Sequence, residues 1–318
     1  MKKFIFKFII FILLFASLYS LIIIFNIYIV GNQYTKSYNA AILDKINLLN
    51  SISEPKIILV GNSNLSFGID SKLMEEELNM PVVNLGLHGG LGNIFLENMA
   101  KENISSNDIV VLVHTEYDST GLIGDYDLAW ITIEKNINLY KFIDKNDYIN
   151  MAKSYTKYNV NSFKKFITHT GNKDSNDQYS RSAFNEYGDI VKRTLFLKSN
   201  DIFYSGCLMV STLSDDTIDR LNSYNDFITS KGAHLVIAAP PIPDGEYTPN
   251  RSEWKKLESS LNDKLNIDII SNFEDYFMTY DYFLDTKYHL TDEGVKKRTK
   301  LLIDDLKKWK ESTYKKEV

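Results

Sequence analysis

Residues 8–30 are apolar almost without a break, with Ser17, Ser20 and Asn26 as the small or weakly polar exceptions, and Lys2, Lys3 and Lys7 stand in front of them. A helix needs about 20 such residues to cross the hydrocarbon core of a bilayer. A secretory signal has a shorter apolar region, about 7–15 residues, and ends at a small-residue cleavage site. Phe15-Ala16-Ser17 faintly suggests such a site, but the apolar run carries on past it. The expectation is a transmembrane signal anchor over residues 1–30, with the lysines in the cytoplasm and the remainder outside. A buried core helix fits neither the length nor the one-sided charge.

The rest of the 318 residues is long enough to bury a sizeable core. With 36 basic and 41 acidic residues the formal charge is −5, so no bulk signature of a nucleic-acid partner exists. Cys207 is the only cysteine, which rules out an intramolecular disulfide and a cysteine-based metal site. No metal-ligand spacing occurs, and Gly89-Gly90-Leu91-Gly92 lacks the Lys-Ser/Thr of a phosphate-cradling loop. No cofactor is called for.

Four apolar β-formers, Ile57-Ile58-Leu59-Val60, run into Gly61, Asn62 and Ser63. A continuous apolar run bounded by turn residues is the pattern of a buried parallel strand. The pattern recurs, with helix-forming stretches between: a short strand from Met80 opens into a glycine-rich loop at 86–92, and a third strand over 108–113 leads into His114-Thr115-Glu116-Tyr117-Asp118. A fourth strand over 233–239 follows a helix ended by Gly232, and a last short strand covers 267–270. Strands alternating with helices predict an α/β fold with a three-layer parallel sheet. Residues 31–55 are polar and helix-compatible and are expected to form a juxtamembrane stalk, leaving 56–318 as the folded domain. Residues 120–200 lack strand-type runs. Helical periodicity over 126–142, 145–158 and 160–167, with a polar loop at 171–182, predicts a helical insertion.

Ser63 at a strand end would face the crevice where open α/β sheets place their ligand sites. A serine hydroxyl needs a histidine to accept its proton, and that histidine needs a carboxylate to fix its tautomer. His289, four residues after Asp285 near the C-terminus, supplies both. Backbone N–H groups of Ser63 and Gly89 are the candidate oxyanion donors. Asn62, His88, Glu116 and Tyr117 are candidate substrate contacts. His114 is expected to be a satisfied, partly buried histidine, and Lys296-Lys297-Arg298 a solvated face.

In this order the blocks resemble the SGNH (GDSL-type) hydrolase family. Gly61-Asn62-Ser63 matches its first block, Asn84-Leu85-Gly86-Leu87-His88-Gly89 is similar to its second, and Asp285 with His289-Leu290-Thr291-Asp292-Glu293-Gly294 resembles its last. The resemblance implies an SGNH, flavodoxin-like architecture with Ser63 as nucleophile, His289 as base, Asp285 as its orienter and Gly89 as oxyanion donor. It covers about 56–118 and 232–306 and does not explain the insertion. Two features depart from the family: Glu116 stands where an asparagine usually donates to the oxyanion, and three residues rather than two separate Asp285 from His289. Glu116-Tyr117 and the Tyr288-His289 pair resemble a membrane-anchored branch associated with surface polysaccharide. That implies a serine esterase or O-acyltransferase acting on acyl esters, acetyl above all, of a polysaccharide or other acylated surface polymer. A multi-pass, acyl-donating membrane protein is the implied partner for a transferase. Two alternatives stand beside it: a lipid esterase or thioesterase at the membrane face, and a non-catalytic or partner-dependent assembly protein of a polysaccharide or teichoic-acid acylation machine.

Overall fold

The computed structural model describes residues 1–122, 126–170, 178–194, 213–245 and 251–317. Its first element, α1 (Lys2–Tyr28), is one unbroken helix whose large apolar side chains are exposed from Phe4 to Ile29. It is long and apolar enough to cross a membrane, as a single-pass anchor or a signal sequence.

The stalk expected over 31–55 is instead part of the domain. Two short 3-10 turns and α2 (Ile42–Ser51) carry Tyr34, Tyr38, Ile42, Ile46 and Leu49 into the main hydrophobic core. The 42, 46, 49 spacing makes one apolar stripe on α2, and a helix with such a stripe gains more by burying it than by standing in water.

The sheet has five strands in the order β2 (Val82–Asn84), β1 (Ile57–Gly61), β3 (Ile109–Val113), β4 (His234–Ile237) and β6 (Asp268–Ile269), and all four pairings are parallel. A separate parallel pair joins β5 (Ile242–Pro243) to β7 (Phe277–Met278). Side chains of the central strands alternate between two cores. Ile57, Leu59, Val111, Val113 and Val236 pack with Met74 and Leu78 of α4 (Ser71–Leu78) and with Leu302, Ile303 and Leu306 of the C-terminal helix that begins at Asp292. Ile58, Val60, Val110, Leu112 and Ile237 pack with α2, with α5 (Asn93–Ala100) and with the helices Asp215–Ser230 and Arg251–Lys264. Both faces are therefore covered, which is why the strands read as continuous apolar runs. From β1 the chain winds outward in both directions, so the crevice opens between the carboxyl ends of β1 and β3.

In the insertion, α6 (Asp127–Ile133) and a 3-10 turn (Ile137–Phe142) are followed by α7 (Tyr148–Ile167), a single helix where two were expected. No Gly or Pro interrupts the stretch, so nothing breaks it at Asn159. Of the polar loop at 171–182, residues 171–177 lie outside the described residues, while Gln178 and Ser180 are buried. Further on, Asp189 reaches back to the framework. Its carboxylate accepts from the Ser71 N–H (2.8 Å), the Ser71 hydroxyl (2.7 Å) and Asn84 Nδ2 (2.8 Å).

Candidate active site

At the end of β1 a Cβ on residue 61 would stand 2.4 Å from the Val113 carbonyl oxygen, so only glycine lets β1 and β3 close up there. Asn62 then caps the short helix α3 (Ser63–Ser66), its Oδ1 accepting from the Asn64 N–H at 2.9 Å. Ser63 is the first residue of that turn, and its N–H has no intrahelical acceptor. The turn is clamped from the C-terminal helix. Arg298 donates from Nη1 to the Asn64 carbonyl (2.5 Å) and from Nη2 to Asn64 Oδ1 (2.8 Å). Arg298 is thus wholly buried rather than on a solvated face, while Lys296 and Lys297 remain exposed. Burial lowers its guanidinium pKa to about 9.

His289 comes to Ser63 from far along the chain. Its Nε2 lies 2.9 Å from Ser63 Oγ, and its Nδ1 lies 2.8 Å from Asp285 Oδ1. The three-residue spacer forms a turn in which Thr286 Oγ1 accepts from the N–H groups of Tyr288 (3.2 Å) and His289 (3.1 Å). One helix-like turn places residues i and i+4 on the same side, so this spacing brings carboxylate and imidazole together. The imidazole lies flat on Phe67, with ring centroids 3.9 Å apart and an interplanar angle of 12°. Phe67 is fully buried, so the face of the histidine rests on a fixed surface.

The insertion completes the carboxylate. Asp285 Oδ2 accepts from Gln178 Nε2 at 2.7 Å and from the Tyr179 hydroxyl, and that hydroxyl is also 3.3 Å from His289 Nδ1. Burial pushes the Asp285 carboxyl up, but the hydrogen bond and charge of His289 and the Tyr179 hydroxyl outweigh it and hold the group below its ordinary value. Tyr179 is pushed the other way, by burial first and by Asp285 second.

The second loop stands across from Ser63. Asn84 is fully buried; its Nδ2 donates to the Leu65 carbonyl (3.0 Å) and its Oδ1 accepts from the Gly86 N–H (2.9 Å), which ties the loop to the Ser63 turn. Gly89 begins a 3-10 turn, so its N–H also lacks an acceptor within the turn, and a Cβ on residue 89 would meet the Asn62 side chain at van der Waals distance. The Asn62 amide donates to Thr115 Oγ1 at 2.8 Å. An amide carries two N–H donors, so one further hydrogen remains on Asn62 Nδ2.

The other candidates divide. His88 is exposed, accepts at Nδ1 from the Gly90 N–H (2.9 Å), and lies within electrostatic range of His289. Glu116 is half-buried and accepts from the Ser119 hydroxyl at 2.9 Å, near enough to Tyr288 to raise that phenol after the larger effect of burial. Tyr117 is not a surface contact. Asn93 Nδ2 and Arg220 Nη2 hold its carbonyl at 3.3 and 3.1 Å, and the ring turns into the core, edge-on to His114. His114 is buried with its Nε2 2.8 Å from Glu97 Oε1, as its strand-end position suggests.

Phe67, Gln178, Tyr179 and Arg298 support the cluster without any sequence signal that marks them. Tyr179 sits in a polar, loop-like stretch, and a lone tyrosine there carries no periodicity. Among the described residues no group of three or more His, Cys, Asp or Glu could hold a metal ion. As assembled, the cluster can move a proton from Ser63 Oγ to a histidine whose far nitrogen is held by a carboxylate. Compared with known proteins, the chain matches no family model, no curated protein and no solved structure.

Proposed function

We propose that this chain is a serine acyl-transfer enzyme of the SGNH type, held at the outer face of a membrane by α1. The observation that carries the reading is the unbroken path from Ser63 Oγ through His289 (2.9 Å) to Asp285 (2.8 Å). Ser63 Oγ attacks an ester carbonyl carbon while His289 Nε2 takes the hydroxyl proton. The carbonyl oxygen becomes an oxyanion facing the N–H groups of Ser63 and Gly89, with the remaining Asn62 hydrogen as a side-chain donor beside them. Collapse expels the alcohol, which leaves with the proton from His289, and an acyl-serine remains. Water then resolves it in an esterase, and a sugar hydroxyl in an O-acyltransferase, with His289 again accepting the proton. A sugar O-acyl ester of a surface polymer is the substrate class that the resemblance and the membrane anchor favour together.

Glu116 favours a second reading. A carboxylate lacks the N–H that an asparagine amide donates to an oxyanion, so a site with Glu116 in the family's asparagine position suits a partner-dependent assembly protein of an acylation machine.

The full chain in detergent, treated with a fluorophosphonate probe, separates the two. Labelling should fall by roughly 10³-fold or more in both Ser63→Ala and His289→Ala, since each removes a member of one reacting unit. A folded parent that takes no label, or a Ser63→Ala chain that keeps it, would overturn the enzyme reading.

A further inference from the structure

Helix α7 has two apolar faces. One is buried: Met151, Tyr158 and Ser162 face the domain, where the Met151 carbonyl accepts from Trp130 Nε1 (3.2 Å), Tyr158 donates to Glu134 (2.6 Å) and the Tyr34 hydroxyl donates to Ser162 Oγ (3.1 Å). The opposite face carries Ile149, Ala152, Thr156, Val160, Phe163 and Ile167, which recur every three or four residues and so form one stripe along the helix. Its large members are open: Ile149 is 66% exposed, Val160 50%, Phe163 41% and Ile167 58%. A helix on a water-washed surface is expected to be polar there.

Two observations say what meets this stripe. The first is continuity with α1. The Phe163 ring stands edge-on to Phe25, with centroids 6.4 Å apart, and Gln33 Nε2 donates to the Ser162 carbonyl at 3.0 Å just beyond the end of α1. The exposed apolar surface of α1 therefore runs on to α7. The second is charge. Lys153, Lys157, Lys164 and Lys165 are all exposed on α7, and the helix contains no Asp or Glu. Apolar side chains along one line with lysines and no carboxylates is the composition of a helix lying in a membrane interface.

We infer that the outer face of α7 is seated in the headgroup–acyl boundary of the bilayer that α1 crosses. The domain then rests on the lipid surface along α7 and does not swing from a flexible tether. The inference depends on the reading of α1 as a membrane anchor. Apolar side chains of such a helix enter about 5–10 Å below the headgroups, and lysines beside them meet anionic lipid.

The test uses the full chain with Cys207→Ser, reconstituted into liposomes of mixed zwitterionic and anionic phospholipid. Single cysteines introduced by Val160→Cys or Ile167→Cys carry an environment-sensitive fluorophore, with Leu13→Cys in α1 and Lys256→Cys as deep and water-exposed references. Blue-shifted emission at 160 and 167, lost when the lipids are brominated, is the expected result. Emission at both positions that matches 256 while the label at 13 is quenched would overturn the inference and leave the anchor standing. A blue shift that brominated lipid does not quench would also overturn it and assign the face to a protein, a second copy included. An unquenched label at 13 would overturn the anchor reading itself, and the inference with it.

Discussion

Ser63 and Asp285 stand on opposite sides of His289, and the chain secures them by different means. Around Ser63 much of the support is local, from the end of β1, the close approach at Gly61 and the Asn62 cap, with Arg298 and Asn84 holding the turn from farther along the chain. Around Asp285 it is remote. The carboxylate's second oxygen is held by Gln178 and Tyr179, which lie 107 and 106 residues away in the insertion. The insertion is tied back in turn through Asp189, on Ser71 and Asn84 of the framework. Ser63 thus belongs to the sheet, and Asp285 to the contact between sheet and insertion. Damage to the insertion should reach the chemistry first through Asp285, while it meets the Ser63 turn at its far end, where the Ile190 N–H donates to the Ser66 carbonyl at 2.8 Å.

Three substitutions press on that contrast. Asp285→Asn keeps the shape of the side chain but removes the charge that holds His289 in the tautomer able to accept from Ser63. The rate of fluorophosphonate labelling should fall on the order of 10³-fold. An unchanged rate would mean that His289 is oriented by other groups and that the insertion side does not matter to the reaction.

Asp189→Ala strikes the tie between insertion and framework. It leaves the buried Ser71 N–H and hydroxyl and one Asn84 donor without their carboxylate partner. A loss of about 3 kcal/mol in a denaturant titration is expected for stranding such groups. A stability equal to that of the parent would show that the insertion is held by other contacts, and the two regions would then be less coupled than the geometry implies.

Tyr179→Phe is the mildest. It deletes one hydrogen bond to a charged oxygen, worth about 1.5 kcal/mol, and should slow labelling roughly tenfold without changing probe affinity. It also carries a pH signature. Asp285 is held below its ordinary value in the folded chain, so its ionisation stabilises the fold above the unfolded-state value, and that contribution is lost as pH falls through the folded-state value. Without the Tyr179 hydroxyl the depression shrinks, and the acid-side loss of stability should become shallower. An identical acid limb in parent and variant would remove Tyr179 from the account.

The five strands of the main sheet, the glycine at the end of β1, the Gly232 that ends the helix before β4 and the long apolar N-terminal helix were all legible, because each follows from neighbouring residues, whereas the β5–β7 pair was not. Apolar β-formers in a row want burial on both faces, and only glycine fits where two strands close up. Ser63, His289 and Asp285 could be named for a similar reason: their chemistry demands one another, and each stands beside a turn or strand end. Other parts could not be read. Residues 31–55 looked polar enough for a stalk, yet the stripe of Ile42, Ile46 and Leu49 packs into the core. Tyr117 looked like a rim residue until Asn93 and Arg220 turned its backbone, and Arg298 looked like one of three surface cations until helical geometry pointed it alone inward.

What the sequence determined by itself is the list of candidate residues Ser63, Asp285 and His289 and the α/β alternation that presents them, since spacing along a chain sets which residues share a face or a turn. Which side chains hold those groups steady was decided only in three dimensions. Phe67 beneath His289, Arg298 behind the Ser63 turn, and Gln178 and Tyr179 on Asp285 act across gaps of 106 to 234 residues. Contacts over such distances depend on where whole elements come to rest, and no local pattern of residues records that.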